Sequence, residues 1–229
     1  MSAVKVTKIA SGSRGNCWYV SNGETAVLFD LGVSWKKLLR SGVDLSILDA
    51  VLITHDHNDH WNYETYKKLD RLEYISMAKP APIELECQKE VYLEVAGAMG
   101  PSLSYNVDIF PVEHDPGVPC VAYYHRPLRT MYATDCRYIP QIPHDCKILI
   151  AEANYSKARL LEGGYPAELA LRVATTHQSI ETLQAALMIA IGCGLKLDEV
   201  WLCHISAENG EAEEFKSKIQ RLTGVPVYY

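Results

Sequence analysis

The chain has no C-x-x-C pair, no run of 18 apolar residues and no surplus of basic side chains. Its seven cysteines, Cys17, Cys87, Cys120, Cys136, Cys146, Cys193 and Cys203, are odd in number and scattered. That excludes a regular disulfide framework or zinc knuckle and leaves reduced, mostly buried thiols. Without a long apolar run there is no candidate transmembrane helix. Met1 to Ser11 lacks the charged region, apolar core and small-residue cleavage site of a secretory signal, so a soluble, cytoplasmic protein is expected. The 22 Lys and Arg against 28 Asp and Glu give a formal charge of -6. Bulk attraction to long nucleic acid is therefore not expected, and a phosphate must be held locally. With 229 residues, 48% of them hydrophobic, one domain with a sizeable core is expected over residues 1–229.

What is present is concentrated in Thr54 to Trp61, which reads T-H-D-H-N-D-H-W directly after the apolar Val51, Leu52 and Ile53. Histidine and carboxylate are preferred ligands of divalent zinc or manganese, and crowding them at the mouth of a buried strand suits nothing structural. A strand over Ala50 to Thr54 delivers His55 and His57 with the same side-chain phase, and Asp59 and His60 follow as the chain turns. Asn62 caps a helix spanning about Tyr63 to Leu72, with Glu64 in its first turn, so the loop is held at both ends.

Around this cluster, Val4 to Ile9 reads as a strand running into Ser11-Gly12-Ser13-Arg14-Gly15-Asn16. Two glycines there permit close backbone approach, in either a substrate-facing loop or a plain connecting turn. Asn22-Gly23, between Cys17 to Val20 and Thr25 to Asp30, predicts a type I′ hairpin turn. Asp30, in L-F-D-L-G, would be costly to bury without a partner. It either bonds to the His/Asp loop and supports it or forms a turn before Gly32. Ser34 caps a short helix, Trp35 to Ser41, stopped by Gly42. Lys79 to Pro82 reads as a turn and Gln88 to Met99 as a helix or part of a strand pair; Arg71 to Tyr105 carries no functional claim. Val118 to Tyr124 suits an edge strand or loop lip before Pro127, with His125 and His144 at the surface or a pocket rim. Lys147 to Ala151 is an apolar strand leading to Glu152, Ala153 and Asn154, where Glu152 reads as a supporting or ion-paired carboxylate more than a direct metal ligand.

The C-terminal third repeats H-x-S-x-E, as His177-Gln178-Ser179-Ile180-Glu181 and His204-Ile205-Ser206-Ala207-Glu208. Ser179 is expected to cap an apolar helix, Ile180 to Ile191, and Ser206 an amphipathic one from about Ala207 to Leu222. A histidine just ahead of a helix N-terminus sits among unpaired N–H groups that favour an anion, phosphate being the obvious one.

His55-Asp56-His57-Asn58-Asp59-His60 resembles the H-x-H-x-D-H signature of the metallo-β-lactamase fold superfamily. The resemblance extends along nearly the whole chain: strand-like runs end at His114, Asp135 and His204, in the order in which the family places its further ligands. The S-G-S-x-G-N loop and the H-x-S-x-E strings narrow it to the YycJ/WalJ-type branch, from which Trp61, Gln178 and Ile205 depart. The resemblance implies an α/β (α+β) fold, a four-layer αββα sandwich. It further implies that His55, His57 and His114 hold one metal, that Asp59, His60 and His204 hold a second, and that Asp135 bridges them. Two divalent ions, Zn²⁺ or Mn²⁺, follow. His177 is left as a substrate-facing or proton-donating histidine, a role exchangeable with that of His204. Asp59 would orient the nucleophile, and Ser13, Asn16 and Ser179 are the substrate-contact candidates.

Two such ions lower the pKa of a shared water toward about 7, so the expected activity is a metal-dependent phosphodiesterase. Its substrate would be small or single-stranded: a DNA end, an oligonucleotide or a cyclic nucleotide. The alternatives are a hydrolase of carboxylic ester, thioester or lactam bonds on the same site, and a metal-binding partner protein without turnover. The chain is short for the extra recognition domain of the RNase J group and shows no protruding arm like that of tRNase Z, which argues against a large structured RNA. Small enzymes of this type often complete a pocket as homodimers.

Overall fold

The computed structural model describes residues 3–71, 76–81, 92–96 and 106–229. Internal contacts divide the chain into two compact units, Met1–Asp108 and Ile109–Tyr229. Among the described residues no helix is long and apolar enough to cross a membrane.

The first unit is built on a six-stranded sheet of β1 (Lys5–Ala10), β2 (Cys17–Ser21), β3 (Ala26–Phe29), β4 (Leu48–Leu52), β5 (Ser76–Ala81) and β6 (Tyr92–Ala96), in that spatial order. Strands β2 and β3 are buried throughout, as a run of Trp, Tyr, Val, Leu and Phe with little polar alternation requires. The step from β3 to β4 is parallel and is made through helix α1 (Trp35–Arg40), whose N-cap Ser34 accepts from the Lys37 N–H. Helix α2 (Tyr63–Asp70) starts at Asn62, whose side chain accepts from the Thr65 N–H at 3.0 Å. Leu38 and Leu69 carry the two helices into the core of this unit.

The second sheet comprises β7 (Val107–Val112), β8 (Cys120–His125), β9 (Thr130–Ala133), β10 (Ile148–Glu152), β11 (Glu199–Cys203) and β12 (Val227–Tyr228), ordered β12-β11-β10-β9-β8-β7. Helices α3 (Lys157–Glu162), α4 (Ala167–Thr176), α5 (Ile180–Gly192) and α6 (Ala212–Thr223) complete the unit. Ile180, Leu183 and Leu187 of α5 and Phe215 and Ile219 of α6 pack on Leu149, Ala151, Val200 and Leu202 of the sheet.

Strand direction is what positions the polar groups. Strands β3 and β4 are parallel neighbours, so Asp30 and the Thr54–His60 loop leave the first sheet at the same edge. Strands β9, β10 and β11 are likewise parallel, with Ala133 beside Ala151 and Cys203 beside Glu152. Asp135, Glu152 and His204 therefore emerge together at carboxyl ends, where α/β sheets gather ligands.

Several local expectations are corrected. Asn22-Gly23 does not form a two-residue I′ turn: of the pair only Gly23 has positive φ, 88°. The Asn22 side chain instead accepts from the Glu24 and Thr25 N–H groups at 3.0 and 2.9 Å, which draws four residues into the connection. Ser206 caps a turn and not a helix. Its hydroxyl accepts from Asn209 N–H at 3.2 Å, Gly210 N–H donates to the Ser206 carbonyl, and α6 begins at Ala212. Strand β8 lies inside the sheet, between β9 and β7, so Val118 to Tyr124 is no lip, and His125 at its end is buried. Lys79, Pro80 and Ala81, expected in a turn, continue β5 opposite Glu94, Leu93 and Tyr92 of β6. Pro82 lies outside the described residues. Within Gln88 to Met99 the strand alternative holds over Tyr92–Ala96, and the flanking positions lie outside the described residues.

Candidate metal centre

In the first unit the His/Asp loop is tied down by Asp30, which is fully buried. Its Oδ1 accepts from the Thr54 N–H at 2.8 Å and from the Thr54 hydroxyl at 2.9 Å, and its Oδ2 lies 2.6 Å from His60 Nδ1. A carboxylate that takes the Nδ1 proton places the imidazole lone pair on Nε2, where a metal can use it. His55 is held the same way, with Nδ1 3.0 Å from the Thr54 hydroxyl. Its Nε2 faces His57 Nδ1 at 3.0 Å, and the His55 and His60 rings stand 4.1 Å apart. Asp59 Oδ2 lies 3.5 Å from His60 Nε2. Imidazole nitrogens and a carboxylate brought this close are donors that a divalent ion prefers.

The loop Ser11 to Asn16 backs this cluster from behind. Asn16 is fully buried; its backbone N–H donates to the Asp59 carbonyl at 2.6 Å and its carbonyl accepts from the Gly32 N–H at 2.8 Å. Its amide lies 2.9 Å from His60 Nε2 and 3.4 Å from Asp59 Oδ2. Gly32 sits so tightly against this backbone that a β-carbon would overlap the Asp59 carbonyl, and Gly15 is pressed against Gly32 in the same way at φ 138°. Both glycines are thus demanded by close approach. For Gly32, sequence reading supplied only a turn.

In the second unit Asp135, Glu152, His177 and His204 each offer a ligand atom within 4.8 Å of the others. Glu152, fully buried at the end of β10, is the hub. Its Oε1 lies 2.7 Å from His177 Nδ1 and 3.1 Å from His204 Nδ1, while Oε2 accepts from the N–H groups of Cys136 at 3.0 Å and Gln178 at 3.2 Å. Asp135 Oδ1 stands 3.2 Å from His177 Nδ1 and 3.4 Å from His204 Nδ1. His114 Nδ1 donates to the Thr176 carbonyl at 3.0 Å, which again puts the lone pair on Nε2.

These surroundings set the charges. Burial lowers the pKa of His114 more than Asp135 raises it, favouring the neutral, ligating form. Burial would also lower that of His177, but the Glu152 and Asp135 carboxylates outweigh it and push the value up to about 10. His204 is raised against burial in the same way, chiefly by Asp135 and Glu152. Glu152 would be driven up by burial, yet His177 and His204 hold it below the ordinary carboxylate value. The two histidines differ in exposure: the His177 side chain is 20% accessible and that of His204 8%.

The expected residues thus fall into two groups. His55, His57, Asp59 and His60 cluster in the first unit with Asp30 behind them; His114, Asp135, His177 and His204 cluster in the second around Glu152. Of the substrate-contact candidates Ser13 is exposed, whereas Asn16 is locked in the loop scaffold. Ser179 is 1% accessible and accepts from the Thr182 N–H at 3.1 Å as the cap of α5. Thr54, which joins Asp30 to two histidines, escaped sequence reading because nothing distinguishes it from an ordinary strand residue. Removing the Asp30 carboxylate, as in Asp30→Ala, is expected to weaken metal binding about 10- to 100-fold, measured by competition with a chromophoric chelator.

Three of the four non-glycine residues with positive φ among those described are Asp30 (57°), Asp135 (46°) and His204 (50°). Left-handed backbone at such residues is strained and collects at functional sites. Here it turns each side chain sharply off its strand end.

With two sheets carrying His/Asp clusters at their strand ends, the chain has the metallo-β-lactamase fold and resembles the YycJ/WalJ-type branch. The model of the metallo-beta-lactamase superfamily matches residues 10–62, from the Ser-Gly loop through the His/Asp motif. Exodeoxyribonuclease WalJ of Streptococcus pneumoniae serotype 2 is 25% identical over 239 residues, spanning 91% of this chain and 84% of the relative. Exodeoxyribonuclease YycJ of Bacillus anthracis is 25% identical over 236 residues, 93% of this chain and 87% of the relative. The fold matches that of the crystallised metallo-beta-lactamase fold protein YhfI from Bacillus subtilis, with TM-score 0.64, 16% identity and coverage of 99% of this chain and 96% of that one.

Proposed function

We propose that the protein is a dinuclear metal-dependent phosphodiesterase acting on a small or single-stranded phosphodiester, and that residues 1–229 work as one catalytic domain. In the assignment that the family resemblance implies, His55, His57 and His114 hold one ion, Asp59, His60 and His204 the other, and Asp135 both. The donor chemistry fits, because His55, His60 and His114 each have Nδ1 engaged by a hydroxyl, carboxylate or carbonyl, which leaves Nε2 as the donor. A set dominated by imidazole suits zinc first and manganese second. The ions would supply a water of lowered pKa and neutralise charge on the phosphoryl group.

The observation that carries the reading is His177. It shares the Glu152 carboxylate with His204 at 2.7 Å but is the more accessible of the two. Glu152 orients its ring and stabilises its protonated form, so His177 holds a proton for the departing alkoxide. Asp59, in the first unit's cluster, would orient the attacking water. A thioester, whose thiolate leaves without a proton, makes less use of such a donor. The relatives named as exodeoxyribonucleases favour a DNA end as the substrate. All six described cysteines are free thiols, in keeping with the reducing cytoplasm.

The test is a panel on metal-loaded protein: an aryl phosphodiester, cyclic nucleotides, a short DNA strand, a thioester and a chromogenic lactam, with elemental analysis of the same sample. Phosphodiesters should be cleaved, chelation should abolish cleavage, and zinc or manganese should restore it. Turnover of the lactam or thioester alone overturns the proposal.

A further inference from the structure

A cavity of about 410 Å³ lies in the second unit, within the size range of small-ligand pockets, and nothing in the chemistry above uses it. Its walls include Arg137, Tyr138, Tyr155, Lys157, Leu160 and Thr182. They come from the same three chain segments that carry the Glu152 cluster: Arg137 and Tyr138 follow Asp135, Tyr155 and Lys157 follow Glu152, and Thr182 follows His177. Those segments are locked together. Cys136 N–H donates to Glu152, Ile139 N–H to the Gln178 side chain at 3.1 Å, and Ile180 N–H to the Tyr155 carbonyl at 2.8 Å. The cavity is therefore held in fixed register with His177 and Asp135.

We propose that this cavity is a subsite for one nucleotide of a single-stranded nucleic acid, flanking the bond that is cut. The proposal rests on the phosphodiesterase reading and gives it a substrate class. Two cations and two tyrosines are the elements of a sequence-tolerant single-strand site, in which aromatic faces stack on bases and basic side chains follow the backbone. Tyr138 is 44% accessible and presents a ring to a base, and Leu160 adds an apolar wall. Arg137 and Lys157 are exposed and meet the phosphate. Arg137 is 3.7 Å from Glu113, but both side chains are more than half exposed, so solvent weakens that pair and a phosphate can displace it. The Glu181 carboxylate accepts from the Lys157 backbone N–H at 3.2 Å and leaves the ammonium to the ligand. In a chain of net charge -6 these are local cations, not part of a basic surface.

The test measures binding and turnover separately. Anisotropy of a fluorescent phosphorothioate oligothymidylate is titrated with metal-loaded wild type, Tyr138→Ala and Arg137→Gln, while the same preparations are assayed on an aryl phosphodiester, too small to reach the cavity. Each substitution should raise Kd about tenfold, and Arg137→Gln should also reduce the salt slope by about one. Aryl turnover and thermal midpoint should stay at wild-type values. Oligonucleotide binding by both variants equal to wild type, or no binding by wild type, overturns the subsite. Wild-type binding without turnover of any phosphodiester overturns the phosphodiesterase reading and with it the cavity's place beside a cut bond, while weakened binding by the variants still assigns the cavity to a nucleotide.

Discussion

Replacing His177 by alanine should lower kcat on an alkyl phosphodiester by about 10²- to 10⁴-fold, the range for a well-placed general acid, with both metals still bound. An alkoxide is a poor leaving group and needs the proton. A nitrophenolate leaves without one, so the same variant should lose far less on an aryl diester. That contrast separates proton donation from mere structural damage, which would lower both. Metal stoichiometry separates the two histidines. If His177→Ala loses an ion and His204→Ala keeps both, the roles are exchanged and His204 is the donor. Full turnover by His177→Ala with both metals present removes the donor from the mechanism.

The second large effect concerns a residue with no polar atom in its side chain. Gly32→Ala should destabilise the protein by about 3 kcal/mol or more, as overpacking against backbone does, and should abolish metal binding. The new methyl would overlap the Asp59 carbonyl, to which Asn16 N–H also donates. The clash can be relieved only by moving the loop that carries His57, Asp59 and His60. Urea unfolding with elemental analysis reads both losses. Gly42→Ala is the control: at φ 72° with nothing within 4 Å of the added carbon, it should cost about 1 kcal/mol and keep the metals.

The strand ends were the legible part of the sequence. Val51-Leu52-Ile53 before His55 and Glu199 to Cys203 before His204 mark where buried strands stop, because apolar runs and the polar groups after them are local signals. The capped starts of α1, α2 and α5 were legible for the same reason. What failed depended on particular side-chain and packing contacts that a residue-type signature does not rank. Asn22-Gly23 carries the signature of a tight hairpin, but the Asn22 side chain captures two backbone N–H groups first. Ser206 precedes helix-compatible residues, yet Gly210 is packed against Ile205 and the Asn154 carbonyl, which delays α6. Glu152 read as a supporting or ion-paired carboxylate; that it meets His204 follows from the parallel register of β10 and β11, and that it meets His177 from the Gln178 N–H that donates to it, neither of which a local pattern encodes.

The left-handed backbone at Asp30, Asp135 and His204 has a bearing on how this protein responds to selection. Each position would be relaxed by glycine, and two of the three by asparagine without change of shape. A screen that rewards only resistance to heat or protease should therefore enrich such replacements and return variants that are sturdier and inert, the trade-off expected where strain and chemistry coincide. Thermostabilised versions meant to keep their chemistry must draw their gains from elsewhere in the chain.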